Sequence, residues 1–328
     1  MAKKLRKRDL DDLSSNIDDL GRFLRCPFEE AKSVVETAIA AGECEREAES
    51  VKSWIDNRFV PNTVFIDHLG YAEMCINALR TVPSITATDF GSSRQRDLGQ
   101  LWADMTRGYL GELAVKRHLE SKFGLTISLG HELGDLEEFL NSDIKDVTVD
   151  GVTRPPNVAV GIKTMKMNAL WLDIPNAQFL HSDFHVSVKV KAPRDHLFSF
   201  FKSISVFKDK ILKLGTDNEL ITAAESDRIY TEIPDFGQIA GYVCGFVPKN
   251  ATYRDLDYTG RMGSKNFTVT KWNGPLRDGD FELIRTRESA ARVQLEGIGQ
   301  LSHDQGYLFN SGSLLWQDKD WDQLVSRL

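Results

Sequence analysis

Val158-Ala-Val-Gly-Ile-Lys-Thr-Met-Lys166 is the stretch on which the reading of this 328-residue chain turns. Apolar, mostly β-branched residues at 158, 160 and 162 alternate with small ones at 159 and 161. A strand built this way puts Val158, Val160 and Ile162 on one face and Ala159, Gly161 and Lys163 on the other. Upstream, Asn141-Ser-Asp-Ile144 opens a second β-branched run to Val149. Asp150-Gly151 and Pro155-Pro156 lie between the two runs, so they predict an antiparallel hairpin with a long loop. Phe184 to Val190 alternates likewise and predicts a third strand, and Ile239 to Val247 a buried fourth, with a helix from Asp195 between them. Before all of these, Trp102, Met105, Tyr109 and Leu113 recur at spacings of 3, 4 and 4. They mark a long helix from about Arg96 to Phe123, stopped by Gly124. The order helix, three strands, helix, strand is that of an α/β core.

Outside this core the texture differs. Residues 1–88 read as a helical N-terminal domain, with Pro27 opening one helix, Gly42 stopping it, and further helices over Arg46 to Asn57 and Asn62 to Arg80. Residues 89–328 then hold the core and, beyond Pro248, a β-rich region with strands at Phe267 to Trp272 and Phe281 to Ile284 and a closing helix from Asp320. The formal net charge is −7, from 41 Lys and Arg against 48 Asp and Glu. Binding of nucleic acid through bulk positive charge is thereby excluded, and any such contact must come from local patches. No apolar run of about 18 residues occurs, and Met1-Ala-Lys-Lys-Leu-Arg-Lys-Arg8 is followed by acids, so neither a membrane span nor a secretory leader is expected and a cytoplasmic location is. Cys26, Cys44, Cys75 and Cys244 are scattered, which predicts reduced thiols rather than disulfides or a zinc site.

Three groups in the core carry chemistry: Glu112 within Gly108-Tyr-Leu-Gly-Glu-Leu-Ala-Val115 on the helix, Asp143 where the next strand opens, and Lys163 leaving the one after. Carboxylates with a neighbouring lysine are what phosphodiester hydrolysis needs, because a hard cation takes oxygen ligands and the lysine counters charge on the phosphoryl oxygens. This order resembles the PD-(D/E)xK nuclease superfamily. The run Val160-Gly-Ile-Lys-Thr164, with Trp171-Leu-Asp-Ile-Pro175 and His181-Ser-Asp-Phe184, is similar to its type II restriction endonucleases over about Gly108 to Val247. The resemblance implies a restriction-endonuclease-like core, a mixed central sheet flanked by helices. It makes Asp143 the motif aspartate, Lys163 the motif lysine and Glu112 the helix acid. Asp143, Glu112 and Ile162 would hold Mg²⁺. Ser142 stands in place of the family proline, and Gly161 in place of the strand acid. The bare glycine is read as leaving room for Glu112 to enter from the facing helix.

The resemblance implies a Mg²⁺-dependent, site-specific endonuclease for double-stranded DNA, leaving 5′-phosphates and working as a homodimer on a two-fold symmetric site. A structure-selective or modification-dependent nuclease is the nearest alternative. An inactive nuclease fold that binds DNA or a partner is another, favoured by Gly161. For DNA contact, Phe184 to Lys213 holds seven Lys and Arg against two Asp, with Lys189, Lys191 and Arg194 foremost. Arg254, Arg261, Lys265 and Asn266, around a glycine-containing loop, are the types that reach phosphates and base edges. His181, Asp183 and His185 alternate along one strand and read as exposed polar side chains rather than ligands.

Overall fold

The computed structural model describes residues 7–89, 97–130, 142–250, 255–262, 265–273, 294–295, 299–300 and 306–328. Leu13, Ile17, Leu20 and Leu24, all buried, recur at helical spacing along α1 (Lys7–Leu24) and meet the buried Ala31, Val34, Val35 and Ala38 of α2 (Phe28–Ala40). Pro27 stands at the cap position of α2 in extended conformation. After it come α3 (Ala48–Trp54), continued by a wider π turn to Phe59, then β1 (Thr63–Ile66) and α4 (His68–Asp89). Asp97 caps α5 (Leu98–Phe123) by accepting from the Gln100 amide at 2.8 Å, and Gly124 closes it in left-handed conformation, φ 66°.

Next follow β2 (Thr126–Leu129), β3 (Ile144–Val149), β4 (Val152–Arg154), β5 (Val160–Lys166), β6 (Trp171–Pro175), α6 (Asn176–His181) and β7 (Phe184–Val190). The chain continues through α7 (His196–Ser203), α8 (Lys213–Asp217), α9 (Ala223–Glu232) and β8 (Ile239–Pro248), then β9 (Asp255–Met262) to β13 (Gly306–Asn310), and ends on α10 (Asp318–Val325). The central sheet runs β1-β8-β7-β5, antiparallel except for the parallel pair β7 and β5. Separate sheets are β2-β3-β4 and β6-β13-β10-β9, with β10 spanning Lys265–Asn273. The mixed α/β class expected from the sequence is thus present, with α5 on one face of the central sheet and the N-terminal helices on the other.

Three expectations need correction. The hairpin joins β3 to β4 rather than to β5. Asp150 and Gly151, at φ 52° and 79°, form its tight two-residue turn, the geometry that favours Asp-Gly. β5 instead lies parallel to β7, Gly161 opposite His185 and Lys163 opposite Ser187. The helix expected over Asn62 to Arg80 is preceded by a strand: Thr63-Val-Phe-Ile66 is paired along β8. Four residues are too few to override the helical pattern around them, and the open edge of β8 decides their conformation.

Lys189, expected on DNA, is buried. Its ammonium donates at 2.8 Å to Glu43, and the two side chains are 3 % and 0 % exposed. Glu43 also accepts from Ser311 Oγ, from Trp54 Nε1 at 2.9 Å and from the Tyr242 hydroxyl at 2.7 Å. The guanidinium of Arg58 lies beside this cluster and donates to the carbonyls of Cys244 and Ser311 at 3.1 and 2.5 Å. Burial alone would raise the Glu43 carboxyl; Lys189 and Arg58, with hydrogen bonds from Lys189 and Ser311, outweigh it and bring it down to about 2. All four cysteines are free, and no helix among the described residues is long and apolar enough to cross a membrane.

Breaking such a pair from one side strands the other charge, at a cost of about 3–5 kcal/mol. Glu43→Gln and Lys189→Met are each expected to destabilise by that order in urea unfolding, and the double variant by less than their sum. Because the folded carboxyl titrates low, its contribution is complete above the ordinary carboxylate range and disappears as the pH falls towards about 2. The difference between wild type and Glu43→Gln should therefore shrink over that acid window. A constant difference would show that the charge of Glu43 does not stabilise the fold.

Candidate functional site

Small residues bring α5 down onto the sheet. A Cβ at Gly241 would lie 2.6 Å from that of Ala114, and one at Gly111 would collide with Thr164 Oγ1. Thr164 Oγ1 donates to the Gly108 carbonyl at 2.9 Å. The helix therefore touches β5 along Gly108 and Gly111, on the face that carries Val160, Ile162 and Thr164. Glu112, the residue after Gly111, is carried half-buried beside this contact.

Asp143 sits on the free edge of β5. Its amide donates to the Val160 carbonyl at 2.9 Å, its own carbonyl accepts from Gly130 at 3.1 Å, and its carboxylate accepts from the Ile162 amide. Ser142 locks this geometry: its hydroxyl donates to the Ile144 carbonyl at 2.8 Å and accepts from the Val160 amide at 3.2 Å. In an extended strand the N–H and C=O of one residue point to the same side, so the Ile162 carbonyl shares the edge occupied by the Asp143 carboxylate. The Tyr109 phenol is buried one helical turn before Glu112. Burial first, then the charges of Glu112 and Asp143, push it up to about 12 against a hydrogen bond to Thr81 at 3.1 Å. Tyr109 belonged to the apolar stripe in sequence; three residues before Glu112 is one helical turn, the only hint that the two are neighbours.

Lys163 follows Ile162, but its side chain leaves β5 on the opposite face, the one shared with Gly161. That face corrects the role given to Gly161. The nearest atoms to a Cβ built there are His185 Nδ1 and Ser182 Oγ, both at 3.0 Å. Glu112 approaches from the other side of the sheet, so the space left by the glycine is filled from β7 and from the turn before it. His185 is fully buried, stacks on Phe179 with ring centroids 4.8 Å apart, and bonds the Phe179 carbonyl through Nε2 at 3.2 Å. Burial lowers its pKa to about 4, with Lys163 adding in the same direction. It is no surface residue, although His181 and Asp183 are exposed. Asp183 accepts from the Ala159 amide at 2.9 Å, and Asp146 from Ser128 Oγ at 2.9 Å.

Among the described residues no group of three or more His, Cys, Asp or Glu is placed to hold a metal. The expected donors, the Glu112 and Asp143 carboxylates and the Ile162 carbonyl, are of the chemical kind that Mg²⁺ takes, an ion usually held by one or two carboxylates with several retained waters. Of the expected DNA contacts, Lys191 pairs with Glu30 at 3.0 Å and Arg194 is exposed. Arg254 lies outside the described residues. Arg261 and Asn266 are cross-strand partners on β9 and β10 (Lys265–Asn273), and Lys265 faces Met262, so the expected loop is a strand hairpin. No protein-family model, curated protein or solved structure matches the chain.

Gly161→Ala is expected to lower stability by about 1–3 kcal/mol, because the new methyl must displace a buried ring and a buried hydroxyl. Thermal unfolding checks this. A variant as stable as the parent would mean that the space over Gly161 is open and accessible to an acid.

Proposed function

We propose that this protein is a Mg²⁺-dependent endonuclease of restriction type, cutting double-stranded DNA at a specific sequence and leaving 5′-phosphates. The observation that carries the reading is the Asp143 carboxylate docked on the Ile162 amide at the free edge of β5, with Glu112 brought to the same side by the glycine contact of α5. The order Glu112 on a helix, Asp143 at a strand opening and Lys163 on the next strand supports it, as does the mixed sheet with parallel β5 and β7.

Asp143, Glu112 and the Ile162 carbonyl would hold the ion, whose chemistry is to stabilise charge on the phosphoryl oxygens and to acidify a bound water. Asp143 is held ready by two backbone contacts to β5, so little ordering is needed when the site fills. Lys163, whose side chain leaves β5 on the opposite face, would supply positive charge for the phosphoryl oxygens from across the strand edge. With Lys189 internal, Arg194, Lys208, Lys210 and Lys166 are exposed bases that remain available to DNA. A second reading, an inactive nuclease fold that binds DNA or a protein partner, draws on one fact: the usual place of a strand acid is taken by Gly161 and packed by His185 and Ser182.

Incubation of plasmid DNA with the purified chain in Mg²⁺, with EDTA as control, separates the two. The expected result is a discrete fragment pattern in Mg²⁺ only, with 5′-phosphate ends on sequencing. Asp143→Asn, Lys163→Ala and Glu112→Gln should each reduce the rate by about 100-fold or more, with circular dichroism unchanged. No cleavage by the unmutated chain with Mg²⁺ or Mn²⁺ on varied DNA overturns the nuclease reading in favour of the binding module. A fully active Glu112→Gln would remove the helix acid from the site.

A further inference from the structure

A cavity of about 220 Å³ opens just beyond β7, where the end of α1, β1 and the first turn of α7 meet the start of β8. Two buried polar residues line it. His196 and Ser199, three residues apart on α7, are only 2 % and 3 % exposed. The Tyr71 hydroxyl bonds His196 Nδ1, and as its donor leaves the ring proton on Nε2. Neither that Nε2 nor the Ser199 hydroxyl has a hydrogen-bond partner among the described residues. Neither atom is sealed in the interior, so the cavity is their outlet. Polar groups so deeply placed and still unanswered call for a ligand or water to complete them.

The walls are apolar and partly aromatic: Phe65, Phe236, Pro193 and Ile239 line the same space. Phe236 is braced edge-on by Tyr71, with ring centroids 4.8 Å apart. Three charged residues also line it. Lys191 is matched by Glu30 at 3.0 Å and Asp235 by Lys202 at 2.9 Å, and burial holds His196 neutral, its pKa brought down to about 4. Arg25, the third, is exposed and has no ion pair among the described residues. It closes α1 in the left-handed conformation, φ 52°, with the Cys26 amide returning to the Gly21 carbonyl at 2.9 Å, a position where glycine is usual. An arginine held there is the kind of backbone outlier that collects at ligand sites.

We propose that this cavity binds a small aromatic or heteroaromatic carboxylate, with its carboxylate on the Arg25 guanidinium, its ring against Phe65 and Phe236, and His196 Nε2 and the Ser199 hydroxyl bonding a polar edge of the ring. The charges select the head group. One positive charge without a counter-ion suits a singly charged anion, and the guanidinium fork matches a planar carboxylate with two parallel hydrogen bonds. A phosphate dianion would bring a second negative charge towards Glu30 and Asp235. The volume selects the body. It lies below the roughly 300–1,000 Å³ of pockets for drug-sized ligands, so it takes one or two rings. The inference does not depend on the nuclease reading.

The test is calorimetric titration of the full chain with benzoate, pyridine-3-carboxylate and indole-3-carboxylate, with the matching amides as uncharged comparisons and inorganic phosphate as competitor. The expected result is saturable one-to-one binding of at least one carboxylate, at least about tenfold tighter than its amide. Arg25→Gly should weaken that binding by about tenfold or more and leave thermal unfolding nearly unchanged, since glycine suits the left-handed backbone. Ser199→Ala should weaken it by about fivefold. No saturable binding of any of the three, binding that Arg25→Gly leaves unchanged, or an amide that binds as tightly as its acid overturns the proposal. Ready displacement by inorganic phosphate overturns the choice of carboxylate.

Discussion

The carboxylate of Glu43 has no access to water, and an ionised group in that position persists only if every lone pair is answered. Lys189, Ser311, Trp54 and Tyr242 answer it. These residues come from the N-terminal helices, both inner strands of the central sheet, and the segment after β13. The Arg58 guanidinium extends the same cluster to the backbone of β8 and of Ser311. A charge that cannot be left unpaired thus ties the beginning, the middle and the end of the chain into one arrangement. It also explains why the N-terminal helices are continuous with the sheet's core.

On the other face of the sheet the constraint is steric. α5 can rest on β5 and β8 only because Gly111 and Gly241 present no side chains where the two meet. That close contact brings Glu112 within electrostatic reach of the same phenol as Asp143. The site needs the edge of β5 as much as it needs the helix. β3 enters beside β5 for a single backbone bond at Asp143 and then turns away to pair with β2 and β4. The Ile162 amide is thereby left for a carboxylate rather than for a neighbouring strand, and the adjacent carbonyl faces the same opening.

Net negative charge and a local basic stretch are compatible once burial is taken into account. Between Phe184 and Lys213 the sequence is rich in lysine, yet Lys189 is neutralised inside the molecule, Lys191 pairs with Glu30, and Lys202 pairs with Asp235. A count of charges along a segment therefore overstates the field that a partner would meet. The exposed remainder is smaller, Arg194 after β7 and Lys208, Lys210 and Lys213 further along.

Sequence by itself determined what depends on neighbours in the chain. The length and the C-terminal end of α5 follow from the apolar spacing and Gly124. The turn at Asp150-Gly151, the strand β7 and the buried strand β8 follow equally from local pattern, though the burial of both faces of β7 does not. The candidate trio of Glu112, Asp143 and Lys163 follows as well, since residue type and order along the chain sufficed to pick them out. Tertiary structure decided what depends on distant partners. A four-residue strand at Thr63 exists because β8 offers an open edge, and Lys189 is internal because it meets the buried carboxylate of Glu43, distant in sequence. Gly161 is covered because the parallel register of β5 and β7 sets His185 directly opposite, a pairing that no periodicity within either strand encodes.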